Sequence, residues 1–347
     1  SLYKLVWQAL EKHLEKCNTI YISPAGMLNK LSFDALPYNA ANILSDKYKI
    51  IYTSTTAQRI NQTGLYQKDI NNTVMFGGIN YDIKPDKIKK KALAYKKEFE
   101  LDPAVDYAFN SFKNRTIDSL SRNVSWQYLP GSLEEVEEIE DVLKRQKVNV
   151  KVYKDKLGSE EQFKSLERDA PSILHVSTHG FYFGYDERSM AYKDRIDQDV
   201  SFAHSENPLL RSGFILAGGN IAFQGGNPPE GSEDGVLTAL EISRLNFFKT
   251  KLVVLSACQT GLGDVIGSEG VYGLQRSFKM AGVNYLLFSL WEVPDETTKE
   301  LMTYFYENWF TGMEIREAFK KAQNELKEKY KDVPGSAFAW AAFVLMK

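Results

Sequence analysis

Short unbroken apolar runs alternate along the chain with stretches of helical spacing. Leu2, Leu5, Val6, Leu10 and Leu14 recur at helical intervals and predict a helix over Leu2–Cys17. Thr19–Ser23, Tyr48–Ser54 and Val74–Gly77 then read as strands. At Ser132 a serine is followed three residues later by a glutamate, with acidic residues through the first turns, and this predicts a capped helix start. Further strands are predicted at Val148–Tyr153, Ile173–Ser177, Gly213–Ala217, Leu252–Ser256, Tyr285–Leu290 and Ala339–Met346. Helices fit at Glu160–Glu167, Val236–Leu245, Ser268–Ala281, Glu296–Phe310 and Glu314–Lys329. Such alternation is that of an α/β fold, a mainly parallel sheet flanked by helices on both faces.

Three stretches break the alternation. Tyr81–Gln127 is polar and Lys-rich early, and reads as an insertion or a partly helical lid. Asp186–Arg211 and Gln224–Asp234 are polar and charged, the second also rich in Gly and Pro, and read as surface loops. One weak echo is present: TIYISPAG (Thr19–Gly26) parallels ILHVSTHG (Ile173–Gly180), with Ala25 where the second copy has His179.

The 43% hydrophobic fraction of these 347 residues rules out a disordered chain and supports one large domain or two. With 43 Lys+Arg against 45 Asp+Glu, the near-neutral charge argues against nucleic-acid binding by bulk electrostatics. No apolar run approaches the ~20 residues that span a bilayer, and no secretory signal pattern is visible, so a cytoplasmic setting is expected. Two cysteines, Cys17 and Cys258, make no disulfide framework, and no Cys/His cluster has zinc spacing, so neither a metal nor a cofactor is expected.

Cys258 ends the apolar run KLVVLSAC and precedes glycines, which lifts a thiol to the carboxyl edge of a sheet, where open α/β folds place ligand crevices. A nucleophilic thiol needs an imidazole to deprotonate it and N–H donors for the oxyanion. His179 also follows an apolar strand, and Gly180 after it offers an unobstructed N–H. Either residue taken singly also fits a bland reading, a buried apolar cysteine or a loop histidine without a task. His175, inside the strand run, reads as a hydrogen-bonded core residue; Cys17 as packed; His13 and His204 as surface residues.

Together these segments resemble the CHAT protease domain, a branch of the caspase, metacaspase and separase group of cysteine proteases. The likeness rests on HVSTHG around His179, PLLRSGFILAGGN (Pro208–Asn220), LSACQTG around Cys258, EGVYGLQRSFKMAGVNYLLFSLWEV (Glu269–Val293) and the terminal FAWAAFVL. YISPAGMLNKLSFDALP and LPGSLEEVEEI upstream also look like that family. The resemblance implies a caspase-like fold with a degenerate caspase-like half over residues 1–130 and a protease half over 131–347. It implies that His179 is the base, Cys258 the nucleophile, and the N–H groups of Gly180 and Cys258 the oxyanion hole, where losing one donor typically costs ~2.7–4 kcal/mol of barrier.

By the same resemblance, the pocket for the residue before the cut lies along SLWEVPDETT (Ser289–Thr298), with Trp291 as a wall. Glu292 and Asp295, and with less weight Asp264, are the carboxylates that would favour a basic residue there. Each has an ordinary reading too: Trp291 a core aromatic, Glu292 a strand-end charge, Asp295 a helix cap after Pro294. A protein substrate is implied, with activation by cleavage, calcium or a partner; Gly225–Gly235 is a candidate activation loop, although no motif supports calcium. No ~34-residue helical repeat is present, so a repeat-type sensor would lie outside this chain. Two rival readings remain open. One is a catalytically silent CHAT scaffold that binds partners. The other is a dinucleotide site, with Gly261, Gly263 and Gly267 after a strand and Glu292 after the next.

Overall fold

Apolar runs without polar interruption belong in strands covered on both faces, and the computed structural model folds them so. It describes residues 2–39, 42–54, 64–82, 125–183, 205, 207–224, 226, 228, 232–256, 263–265, 271–333 and 336–347, with 263–265 and 271–272 described by backbone alone. The strands are β1 Thr19–Ile22, β2 Lys49–Tyr52, β3 Asn72–Ile79, β4 Asn149–Asp155, β5 Ile173–Val176, β6 Gly180–Tyr182, β7 Ser212–Ile215, β8 Val236–Thr238, β9 Leu252–Leu255, β10 Gly263–Val265, β11 Val271–Gly273, β12 Tyr285–Ser289 and β13 Phe343–Met346. Eight form one sheet in the order β1-β2-β13-β12-β9-β5-β3-β4. All neighbours in it run parallel except β12 and β13. This is the mainly parallel, helix-flanked sheet that the sequence predicts.

Every residue of β5, β9 and β12 is buried. Alternate residues divide between two cores, as the two-residue period of a strand requires. Met75, Ile173, Leu252, Val254 and Leu287 face the three longest helices, α1 Pro130–Arg145, α2 Asp295–Phe310 and α3 Ile315–Lys329. Phe76, Leu174, Val176, Val253, Leu255 and Phe288 face Phe163, Phe223, Phe247 and Phe278 on the other side. Stacked and edge-on aromatic pairs fill the first core, with Trp309 5.6 Å from Phe305 and 5.3 Å from Phe310. Among the described residues, no helix is long and apolar enough to cross a membrane.

Order in the chain and order in the sheet diverge at β3. From β3 the chain passes through α1 to β4 on the outer side, and β5 then returns to the inner side of β3. Connections leaving β3 and β5 therefore part in opposite directions, the arrangement that opens a crevice at the carboxyl ends of parallel strands. Because β3 precedes residue 130 while β4 and β5 follow it, residues 1–130 and 131–347 share this one sheet.

Several elements differ from expectation, each for a local reason. The helix expected over Leu2–Cys17 is three short pieces, Leu2–Val6, Gln8–Leu10 and Glu11–Leu14. Its leucine stripe is not the buried face: Leu5 is 81% exposed, while Trp7 is the residue driven into the core against Phe33 and Tyr48. Ser132 does not cap α1. Pro130 starts the helix, as suits a residue with no N–H to leave unpaired, and the Ser132 hydroxyl donates to Leu129 O (2.9 Å) and accepts from Gly78 N–H (3.0 Å). Gly78 takes φ +59°, and a side chain on Gly77 would meet Ser132 O at 2.6 Å, so these glycines let β3 and α1 close together.

Gly213–Ala217 is strand, but β7 belongs to a separate antiparallel sheet β6-β7-β8, and β8 takes the start of the helix expected at Val236–Leu245. The helix expected from Ser268 begins at Leu274, after an antiparallel β10–β11 pair. Gly263 thus opens a strand rather than a helix, which removes the turn a dinucleotide fingerprint needs; Gly261 and Gly267 lie outside the described residues. The last predicted strand is shortened by a helix at Ala337–Trp340. Most of Tyr81–Gln127 and Asp186–Arg211, His204 included, also lies outside the described residues.

The C-terminal end of the loop Gly225–Gly235 is anchored. Glu161 Oε1 accepts from Glu233 N–H (3.0 Å) and Glu160 Oε2 from Gly235 N–H (2.9 Å). Buried Lys164 pairs with Glu160 (2.7 Å), Glu241 (3.2 Å) and Glu233 (3.3 Å).

Candidate functional site

Strands β5 and β9 are parallel neighbours in which Val176 is in register with Leu255. The ladder continues past their ends: Ser177 N–H donates to Phe76 O (2.8 Å) and Ser256 N–H to Val176 O (3.0 Å). His179 stands three residues beyond Val176. Cys258 stands three beyond Leu255 and lies outside the described residues.

The His179 ring is held at three points. Its Nε2 is 2.7 Å from the backbone carbonyl of Gln127, and the rings of Tyr81 and Trp126 pack on it at 5.1 and 5.0 Å. A carbonyl only accepts, so Nε2 carries the proton and Nδ1 keeps the lone pair. Burial pulls the imidazole below its ordinary pKa, while the Gln127 carbonyl and the Asp295 carboxylate pull the other way. A lowered pKa keeps the ring neutral and able to accept a proton. The His179 carbonyl accepts from Ile215 N–H (2.9 Å), fixing the turn from β5 into β6. Phe183 N–H reaches Arg211 O in the same β6–β7 ladder, so by antiparallel alternation Gly180 directs its N–H away from β7. Tyr81 hydroxyl donates to Thr178 Oγ1 (2.9 Å), which itself donates to Ile215 O (2.7 Å); burial pushes this phenol up to about 12.

Beneath this edge lies a second polar group that the sequence reading missed. Glu135, buried on α1, accepts from Ser177 Oγ (2.9 Å) and Ser256 Oγ (2.8 Å) on one oxygen, and its other oxygen is 2.8 Å from His175 Nε2. His175 Nδ1 is 3.2 Å from the Tyr306 hydroxyl of α2, whose pKa burial drives well up. Every proton finds an acceptor if Tyr306 donates to Nδ1 and His175 donates from Nε2 to Glu135. One carboxylate thus ties together the ends of β5 and β9, at positions two residues before His179 and two before Cys258. His175 is, as its strand position suggested, a buried and hydrogen-bonded residue.

A cleft opens over this network at the carboxyl ends of β5, β9 and β12. Ser177, Thr178, Ser256, Ser289, Glu135 and Asp295 line it. Asp295 is the first residue of α2 and packs on Gly131, where a Cβ would come within 2.6 Å of its own. Burial raises the Asp295 carboxyl, Glu135 adds to this, and His179 opposes it. Trp291 packs at a tilt on Phe338 (5.5 Å) and donates from Nε1 to its carbonyl (2.8 Å), and neither it nor exposed Glu292 lines this cleft. Asp264 lies in β10, opposite Tyr272 of β11, and its side chain is outside the described residues. Of Trp291, Glu292 and Asp295, whose side chains are described, Asp295 alone lines this cleft.

Two contributors had little sequence signal. Gln127 acts through its main chain, which any residue type supplies. Glu135 shares a helix face with Ile139 and Val142, so its position relative to the apolar stripe was the available clue.

A family model described as the CHAT domain matches residues 1–347. Over 116 residues, 32% of this chain, it is 35% identical to tetratricopeptide repeat protein 28 of Mus musculus and, to the same extent, of Homo sapiens; the chain spans 4% of those proteins. Among solved structures, the Arg-specific cysteine proteinase gingipain R superposes with a TM-score of 0.53 at 8% identity, over 98% of this chain and 66% of that one. The Saccharomyces cerevisiae separase–securin complex gives a TM-score of 0.42 at 9% identity, over 94% of this chain and 15% of that chain. With the family model covering the chain from end to end, on a caspase-like, mainly parallel α/β sheet, this protein belongs to the CHAT domain family.

Proposed function

We propose that this chain is a cysteine endopeptidase in which Cys258 is the nucleophile and His179 the general base. The observation that carries the reading is the orientation of His179. Its Nε2–H is committed to the Gln127 carbonyl, which leaves the Nδ1 lone pair on a neutral ring at the end of β5. The neighbouring strand β9 leads to Cys258 in two residues after Ser256, a reach of at most about 7 Å.

Nδ1 takes the thiol proton and the sulfur attacks the scissile carbonyl carbon, with the oxyanion held by the N–H groups of Gly180 and Cys258. The C–N bond then breaks, the imidazolium returns the proton to the leaving amine, and a thioester remains. Water, deprotonated by Nδ1, hydrolyses the thioester to the acid and regenerates the thiol. These steps draw on no metal or redox cofactor. A protein substrate, a cytoplasmic setting and control by a partner or sensor outside this chain complete the proposal.

The residue before the cut is basic in this reading. Asp295, exposed at the start of α2 and near enough to His179 to act on it, is the carboxylate that would pair with a guanidinium or ammonium group. The test is hydrolysis of a fluorogenic peptide library diversified at that position, by the wild type, Cys258→Ala and Asp295→Asn, each also after limited proteolysis and with calcium. Turnover by the wild type, preference for Arg or Lys, and loss in Cys258→Ala are expected. Asp295→Asn should lose roughly 10- to 100-fold in kcat/KM on basic substrates, the size of a charged hydrogen bond, and little on apolar ones. An apolar preference would overturn the pocket assignment. An inert wild type under all these conditions would overturn the protease reading.

A further inference from the structure

The segment PLLRSGFILAGGN ends in Asn220, which the chemistry above does not use. Asn220 sits in the short helix Gly219–Phe223 and is 1% exposed. Its side-chain amide closes a reciprocal pair with the main chain of Trp126: Oδ1 accepts from Trp126 N–H (2.8 Å) and Nδ2 donates to Trp126 O (3.0 Å). Nδ2 also donates to Asp82 Oδ1 (2.7 Å) and lies 3.4 Å from Ser125 Oγ. Its backbone N–H donates to Tyr81 O (3.1 Å).

Tyr81 and Trp126 are the two aromatic residues that pack on the His179 ring, and Gln127 follows Trp126 in the chain. One buried amide therefore fixes both stretches of chain that border His179 and sets the position of the carbonyl that its Nε2–H meets. Phe223, one turn along the same helix, packs edge-on against Trp126 at 5.3 Å and leaves that indole little freedom.

We propose that Asn220 is a positioning residue for the base, acting through the Trp126–Gln127 main chain to hold His179 as the Nε2–H tautomer, which leaves the Nδ1 lone pair to take a proton. The inference rests on the reading of His179 as the base. Loss of the amide frees the Gln127 carbonyl, so His179 both turns and exchanges tautomers, and a misplacement of about 1 Å at a reacting group costs on the order of 10²-fold in rate.

The experiment compares wild type, Asn220→Ala and Asn220→Gln by two readouts. The first is kcat and KM on the best library peptide. The second is the histidine ¹⁵N spectrum across pH in a Cys258→Ala background, which needs no activity. In Asn220→Ala we expect kcat about 10²-fold lower with KM within about twofold, loss of the protected Nε2–H signal of His179, and a lower titration midpoint, because the Gln127 bond favours the protonated ring. Asp295, the charged carboxylate acting on His179, is untouched by the change and so cannot account for such a shift. Asn220→Gln keeps both the acceptor and the donors of the amide, displaced by one methylene, and should fall between; it decides the question if the alanine variant does not fold. A folded variant with the His179 tautomer, midpoint and kcat of the wild type would overturn the inference. An inactive wild type whose His179 spectrum still changes on Asn220→Ala would instead place the failure in the protease reading.

Discussion

His179→Ala should lower kcat on a peptide substrate by on the order of 10⁵-fold, and Cys258→Ala should do no less, because the thiol is a poor nucleophile until the imidazole takes its proton. The double substitution is expected to add almost nothing to either single one, since the two groups act as a unit. Stopped assays with the two variants and their combination check this, and additive losses would show that the residues act separately. The acid limb of the wild-type profile supplies a second check. Burial lowers the His179 pKa below its ordinary value, so the neutral base persists to lower pH and the limb should fall below about 6.5. The same shift has a linked cost in stability. The unfolded chain binds this proton more readily than the folded one, so the contribution of His179 to stability is present above about 6.5 and is lost as pH falls through the folded pKa.

Glu135→Ala should be the most destabilising single change at this edge, by about 3–5 kcal/mol, the range for removing one partner from a buried charged group. The carboxylate accepts from His175, Ser177 and Ser256 at once, and its removal leaves three donors on two strands, β5 and β9, without this partner. Urea unfolding should show a lower midpoint at an unchanged slope. Tyr306→Phe, which removes only the outermost hydroxyl of the chain of bonds, should cost about 1 kcal/mol. Equal costs for the two would mean that the network is not organised around the carboxylate. Activity should fall with Glu135→Ala as well, since Ser177 and Ser256 flank the two positions whose spacing the chemistry requires.

How much of this was legible in the sequence differs by level. The central strands were plain: β5, β9 and β12 are continuous apolar runs because helices cover both of their faces. Strand partnership was not. Gly213–Ala217 reads as strand wherever it pairs, and no local pattern says that β7 joins an antiparallel sheet beside His179 instead of the main one. The N-terminal helix misled because a leucine stripe and one tryptophan competed for burial, and the larger ring prevailed. At the site, two residues at the ends of parallel neighbours were visible as a thiol and an imidazole after apolar runs. Their supports were not: Gln127 contributes a carbonyl, Glu135 was one acid among many on a charged helix, and Asn220 was part of a quoted motif with no assigned task. Of the residues that the resemblance named along SLWEVPDETT, Asp295 lines the cleft at this edge, and Glu292 and Trp291 do not.

The place of β13 in the sheet bears on how the protein is made. It lies between β2 and β12, with Met346 opposite Tyr52, Lys347 N–H donating to Tyr52 O and Ser54 N–H donating to Lys347 O. β1 and β2 precede the other described strands of the sheet in the chain, yet the strand that joins them to it follows all the others, so they are synthesised well before their neighbour. β3 likewise waits with both edges open until β4 and β5 appear. Such late, long-range closure is slow and leaves apolar strand edges exposed meanwhile. β1 and β2 should therefore need shielding until β13 has emerged, and the sheet that carries the candidate site is completed only then.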